Sequence, residues 1–308
     1  MKKIIIALCI IALILPLCGC ATIISELSRI TEENLYEDFS SSEDIYEEDY
    51  EDIYEEEIYE EAPRVMPKIE PTVLYDSEGV KITATELRLN DYDDFELNLL
   101  IENNNDYSVH MIIDGCSVNG FMVSAMAVPD IAAGKKANEV LDFSQWELDE
   151  NKIDAIGQID FLLTLYDEDF HTVVEDLPLS ITTDTPATSP DLAGTLIFDA
   201  YNIKIYAYEL IADEFGGYEI AFSMENNGEN PVSVEFNEVS INDFTVNSFF
   251  YTSVSAGKKA IDTLDFYSSD LEDNNIETIS EIEFFVTVTD THNWDRFVSE
   301  EPVTLTFN

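Results

Sequence analysis

After residue 70 apolar and polar side chains take turns along most of this chain. Phe95, Leu97, Leu99 and Ile101 are spaced by Glu96 and Asn98 and followed by Glu102, and Tyr218, Ile220, Phe222 and Met224 keep the same rhythm. Val80, Ile82 and Ala84 repeat it, as do Ile203, Ile205 and Ala207. A period of two puts alternate residues on opposite faces of an extended backbone, so these runs predict half-buried strands. Asn119-Gly120 and Asn242-Asp243 fall between such runs, and both pairs tolerate the positive φ of a tight hairpin. The period lengthens only at "ENKIDAIG" and "DNNIETIS", whose isoleucines three apart predict two short helices closing one end of each sheet pair.

The pattern occurs twice. At an offset of 123 residues, "TVLYD" from Thr72 falls on "TLIFD" from Thr195, "IENNNDYSV" from Ile101 on "MENNGENPV" from Met224, and "SVNGF" from Ser117 on "SINDF" from Ser240. The pentapeptide "AGKKA" from Ala133 falls on an identical one from Ala256. The second copy gains one residue after Asp290, so that Pro178 meets Pro302. Seven to nine short strands per copy, with frequent turns and no crossover helices, predict an all-β chain of two tandem antiparallel β-sandwiches. Their expected bounds are 72–183 and 195–308, joined by a linker at 184–194 rich in Pro, Thr and Ser.

The first 71 residues have another character. Lys2 and Lys3 precede an apolar run from Ile4 to Leu17, which predicts a signal peptide over 1–19. It ends in "LCGC", which resembles the lipobox of bacterial lipoproteins; Leu17, Gly19 and Cys20 match, and Cys18 is the less usual member. The resemblance implies cleavage before Cys20 and lipid attachment there, and two or three acyl chains anchor a protein where one would not. Residues 20–71 are then a tether. Between Thr31 and Ala62 lie sixteen Asp or Glu and no Lys or Arg, a self-repelling composition. Tyr46, Tyr50, Tyr54 and Ile58 nonetheless recur every fourth residue, the face of a helix that could form against a partner.

The formal net charge of -51 excludes nucleic acid as a partner, because phosphates would be repelled. Of four cysteines only Cys116 would remain free after processing and lipidation, which excludes an internal disulfide and suits a small core residue. No G-x-S-x-G, H-E-x-x-H or phosphate-loop motif occurs, and His110, His171 and His292 do not correspond between the copies. The expectation is no enzyme and no cofactor. The acidic runs "DYDDFE", "YDEDFH" and "DLEDNN" could offer oxygens to Ca²⁺, but none has the spacing of a calcium loop, and solvated turns are the simpler reading.

The stretches "VLYDSEGVKITATEL", "LLIENNNDYSV", "SVNGF", "AAGKKAN" and "IDFLLTLYD" resemble the Ig-like, telokin-like modules of lipoproteins from Gram-positive bacteria. That resemblance implies two Ig-like β-sandwiches on the outer face of the cytoplasmic membrane, with no known reaction and no catalytic residue to transfer. Candidate ligand-facing positions are Asn103, Asn104, Asn226 and Asn227 in the Asn-rich turns, and Lys135, Lys136, Lys258 and Lys259 in the AGKKA turns. The lysines are expected to keep those turns solvated and discourage edge-to-edge association, or else to grip an anionic wall polymer. The function expected is a non-catalytic binding or adhesion module, lipid-anchored at the membrane and directed at a protein or cell-wall partner. The alternative is a structural or regulatory accessory of a membrane or wall complex, engaged through the acidic tether.

Overall fold

The computed structural model describes residues 66–188, 190, 194–213, 215–293 and 296–307. The expected signal peptide, Cys20 and nearly all of the expected tether lie outside these residues, as does part of the expected linker. Among the described residues there are eighteen strands and two short helices, and no helix is long and apolar enough to cross a membrane.

The first copy comprises β1 (Thr72–Ser77), β2 (Val80–Leu89), β3 (Phe95–Asn103), β4 (Val109–Val118), β5 (Phe121–Met122), β6 (Asp130–Ile131), β7 (Lys136–Phe143), α1 (Gln145–Glu150), β8 (Gln158–Tyr166) and β9 (Thr172–Thr182). The second comprises β10 (Thr195–Ala200), β11 (Ile203–Ala212), β12 (Tyr218–Asn226), β13 (Val232–Ile241), β14 (Phe244–Thr245), β15 (Phe250–Val254), β16 (Lys259–Phe266), α2 (Ser268–Asp273), β17 (Glu281–Asp290) and β18 (Arg296–Thr306).

In the first copy one sheet runs β1-β2-β3-β7, and the strands β5-β4-β8-β9, with β6 also on β4, form the opposing layer. In the second, β10-β11-β12-β16 faces β14-β13-β17-β18, with β15 also on β13. The alternation seen in the sequence decides which side chains meet between the layers. Phe95, Leu97, Leu99 and Ile101 are buried beside Met111, Ile113, Phe161 and Leu163 in one core, and Ile220, Phe222 and Met224 beside Val234, Phe236, Phe284 and Val286 in the other. Phe95 to Ile101 and Tyr218 to Met224 thus occupy matching central strands.

Irregular features recur at the same offset. Asn119 and Gly120 turn at φ 51° and 87°, and Asn242 and Asp243 at 48° and 70°, the two-residue hairpins expected. The β4–β8 register slips between Asp114 and Ser117, and β13–β17 slips between Asn237 and Ser240. The bulged residues there, Gly115 and Glu238, are both at positive φ.

The helices lie one turn earlier than expected. "ENKIDAIG" and "DNNIETIS" begin where α1 and α2 end, because Lys152 and Asn275 adopt positive φ and stop the helix. The amides of Ile153 and Ile276 return to the carbonyls of Leu148 and Leu271, a left-handed C-terminal cap. The isoleucines seal the core from irregular, non-helical backbone, with Ile153, Ile156 and Ile279 buried.

A second correction concerns the lysines. The sheet edge after the second AGKKA is paired: Lys259 of β16 lies parallel beside Phe121 of β5, and its amide donates to the Gly120 carbonyl at 2.9 Å. Two sheets from different copies therefore join edge to edge. The Lys258 ammonium meets the Asp160 carboxylate at 2.7 Å, Ile261 packs on the first core and Met122 on the second. Local neutralisation by Asp160, together with apolar contact, outweighs the repulsion a lysine turn offers to an approaching edge. At the first turn Lys135 and Lys136 are both exposed.

Candidate functional site

A cleft of about 580 Å³ opens along this seam. The first copy contributes Gly115, Asp160, Leu162, Glu175, Asp176, Pro178 and Ser180; the second contributes Glu229, Asn230, Pro231, Ser255, Lys258 and His292. Its floor is the Asp160–Lys258 pair. Burial pushes the Asp160 carboxyl up, but hydrogen bonds from Lys258, Ser180 and Gln158 more than offset this and hold it below the usual range. Asp160 is thus an anion at any physiological pH, and its charge is spent on Lys258.

The wall from the second copy is built around Asp290. Its carboxylate accepts from the Asn230 side chain at 2.7 Å and the His292 amide at 2.9 Å, while Thr291 donates to the Pro231 carbonyl at 3.0 Å. The loop before β13 and the turn after β17 are fastened together. In the first copy Asp167 caps the matching turn, accepting from the amides of Asp169 and His171 at 2.9 Å. In "YDEDFH" the Asp167 carboxylate is therefore engaged in capping the turn.

The chemistry offered is acceptor-rich. Glu175, Asp176 and Glu229 line the cleft together with the apolar Leu162, Pro178 and Pro231, and its one lysine is already paired. Such a surface suits a cationic group on an apolar stem. The Ser180 hydroxyl accepts from the Gln158 side chain, and His292 is held through its backbone amide on Asp290. Cys116 is buried, and burial, with Asp114 and Glu147 adding, pushes its thiol up to about 12, which keeps it unreactive.

The sequence candidates separate into three kinds. Asn103 and Asn226 are not ligand-facing: both are 1% exposed, and their amides hold the turn together. The Asn103 side chain donates to the carbonyls of Tyr107 and Ile131 at 2.8 and 3.0 Å, and Asn226 donates to those of Asn230 and Val254 at 2.8 and 2.9 Å. Asn104 and Asn227 are exposed, and their amides bond back to the Gly79 and Asn202 carbonyls. The backbone brings each Asn turn to its lysine turn, since the amides of Asn103 and Asn226 donate to the Lys135 and Lys258 carbonyls. Of the lysines, Lys258 alone reaches the cleft, while Lys136 pairs with Glu102 and Lys259 with Glu225.

Among the described residues the group whose carboxylates converge comes from none of the three acidic runs. Asp243, Glu281 and Glu283 bring carboxylate oxygens within 4.8 Å of one another on β17 and the hairpin beside it. Thirty-eight residues separate Asp243 from Glu281 in the chain, so only the β13–β17 pairing could have revealed them. A separate hollow of about 450 Å³ beside Phe198, Tyr201 and Phe297 gathers none of the candidates.

Glu150 in the first copy is raised above its usual range by burial and then by Asp262, Glu219, Glu147 and Asp265, three of which belong to the second. Asp262 is raised by burial, with Thr263 and Thr252 hydrogen bonds opposing and Asp265 adding. A carboxyl raised by folding keeps its proton longer in the native state. Stability contributed there is present at low pH and lost as pH rises from the ordinary aspartate value of 3.8 through the raised one. Asp262→Asn is expected to make thermal unfolding less sensitive to pH over that interval and to raise the midpoint at neutral pH. Melting curves across mildly acidic to neutral buffers check this.

No family model matches the chain, and no curated protein matches it. Among solved structures it is similar to red sea bream transglutaminase, at 11% identity over 75% of this chain and 31% of that one, with a TM-score of 0.22. It is also similar to an Amycolatopsis orientalis exo-chitosanase in complex with a β-D-glucosamine compound, at 12% identity over 72% and 26% of the two chains and a TM-score of 0.21. A Porphyromonas gingivalis protein of unknown function is covered in full, at 12% identity over 74% of this chain and a TM-score of 0.20. The chain spans under a third of the transglutaminase and the exo-chitosanase, and likenesses this slight carry no argument about function.

Proposed function

We propose that the chain is a lipid-anchored, extracytoplasmic binding module with no catalytic role. Two tandem Ig-like β-sandwiches, 72–183 and 195–308, are held off the membrane by the acidic tether from Cys20, and the seam cleft is the binding surface. The observation that carries this reading is the cleft itself: both copies build it, Asp290 fastens its second-copy wall, and acidic side chains line it beside apolar ones. The ligand it suits is a basic segment of a protein partner, with an alkyl stem along Pro178 and Pro231 and a cationic head among Glu175, Asp176 and Glu229.

A short Lys- and Arg-containing peptide titrated into the full chain is expected to move the NMR resonances of Asn230 and His292. Glu229→Gln combined with Glu175→Gln is expected to weaken binding about tenfold, a loss of about 1.4 kcal/mol. Unmoved resonances at millimolar peptide, or an unchanged affinity in the double variant, overturn the assignment of the cleft.

A further inference from the structure

The seam uses one edge from each copy and leaves the equivalent two unused. β16 is joined to β5; its counterpart β7 ends the first sheet, and the counterpart of β5, β14, ends the last. Residue by residue at the offset of 123, Lys135 corresponds to Lys258, Lys136 to Lys259, Phe244 to Phe121, Asp243 to Gly120 and Glu283 to Asp160. In the seam Lys258 sits on Asp160 at 2.7 Å. At the far end Glu283 stands in the place of Asp160 and has gained two carboxylates beside it, Asp243 and Glu281. Among the described residues no lysine or arginine pairs with these three, and no carboxylate pairs with Lys135, which is exposed. Phe121 is 1% exposed under the seam, whereas Phe244 is 46% exposed.

From this complementarity we infer that a second copy of the chain docks head to tail, with the β7 edge of one molecule on the β14 edge of the next. Lys135 enters the Asp243–Glu281–Glu283 group, and the contact inside each molecule is repeated between molecules. Three converging carboxylates repel one another and gain most from a cation; the unpaired strand edge supplies backbone groups for pairing. The contact joins unlike surfaces, so it leaves one free edge of each kind at every step and grows into open chains rather than closing as a two-fold dimer. Met122 and Ile261, which seal the internal seam, correspond to Thr245 and Asn138. Contacts between molecules therefore lack that apolar seal, and assembly depends on a high local concentration. This inference stands apart from the reading of the cleft, because neither edge contributes to it.

Sedimentation velocity on the full-length chain, from micromolar to millimolar, tests it. The weight-average mass is expected to rise past that of a dimer without a plateau. Lys135→Glu and Glu283→Lys are each expected to lower the association constant roughly tenfold. An equimolar mixture of the two variants is expected to assemble again, because each presents the charge the other lacks, and this recovery separates a lost contact from a damaged fold. A wild-type chain that stays monomeric at millimolar concentration, growth that stops at a dimer, or a mixture no better than its components overturns the inference.

Discussion

Phe222→Ala is expected to destabilise the second core by about 3–5 kcal/mol, the usual cost of emptying a buried phenylalanine site. Phe222 is 0% exposed and meets Phe236, Phe250 and Phe284 edge-on at 4.8, 5.5 and 5.8 Å between ring centres. Phe236 in turn lies flat against Phe250 and Phe284 at 4.1 and 4.3 Å. Removing the first ring leaves three rings with one edge each facing a void, and rigid aromatic walls collapse poorly into such a space. The first copy provides an internal control. Its corresponding residues are Leu99, Ile113, Ala127 and Phe161, the same backbone filled mainly by aliphatic side chains. Leucine is thus compatible with this strand position, and Phe222→Leu is expected to cost at least about 2 kcal/mol less than Phe222→Ala. Urea unfolding of both variants measures the gap; equal midpoints would show that leucine recovers none of the lost packing and that the first copy is no guide to this site.

The same comparison explains what could be read without coordinates. Strand identity depends on which positions are apolar, and both copies preserve that pattern although Phe222, Phe236 and Phe250 replace Leu99, Ile113 and Ala127. The hairpins at Asn119 and Asn242 were legible because two adjacent residues must take positive φ, a demand few side chains meet. The helices lie earlier than the isoleucine spacing predicts because that spacing is also satisfied by irregular backbone folding over the core after a left-handed stop at Lys152 or Asn275. The seam was not legible at all. The two AGKKA turns are identical in sequence, yet Lys258 is committed to Asp160 while Lys135 is exposed, and the difference lies in what each turn meets in space. For the same reason the cleft, assembled from side chains of both copies, has no signature in any single stretch.

The Asn turns carry the second large effect. At Asn226 the buried side chain does two jobs: its amide nitrogen donates to the carbonyls of Asn230 and Val254, and its oxygen accepts from the Gly228 amide at 2.9 Å. It therefore closes its own loop and fastens that loop to the end of β15. Asn226→Ala leaves buried carbonyls and an amide without partners, at about 1–3 kcal/mol for each group that water cannot reach. Asn226→Asp is the sharper probe. The introduced carboxylate can still accept from Gly228, but at neutral pH it has no proton to donate and faces two carbonyl oxygens in a buried site. It is expected to cost more than alanine at pH 7. Its own proton would restore one donor, so folding should raise the pKa of the introduced carboxyl, and the stability it contributes should grow as pH falls through that raised value. Denaturant midpoints of the two variants are expected to converge and then cross as the buffer is made acidic. A constant difference between them at every pH would mean that the donor half of the amide is dispensable and that the turn is held by its oxygen alone.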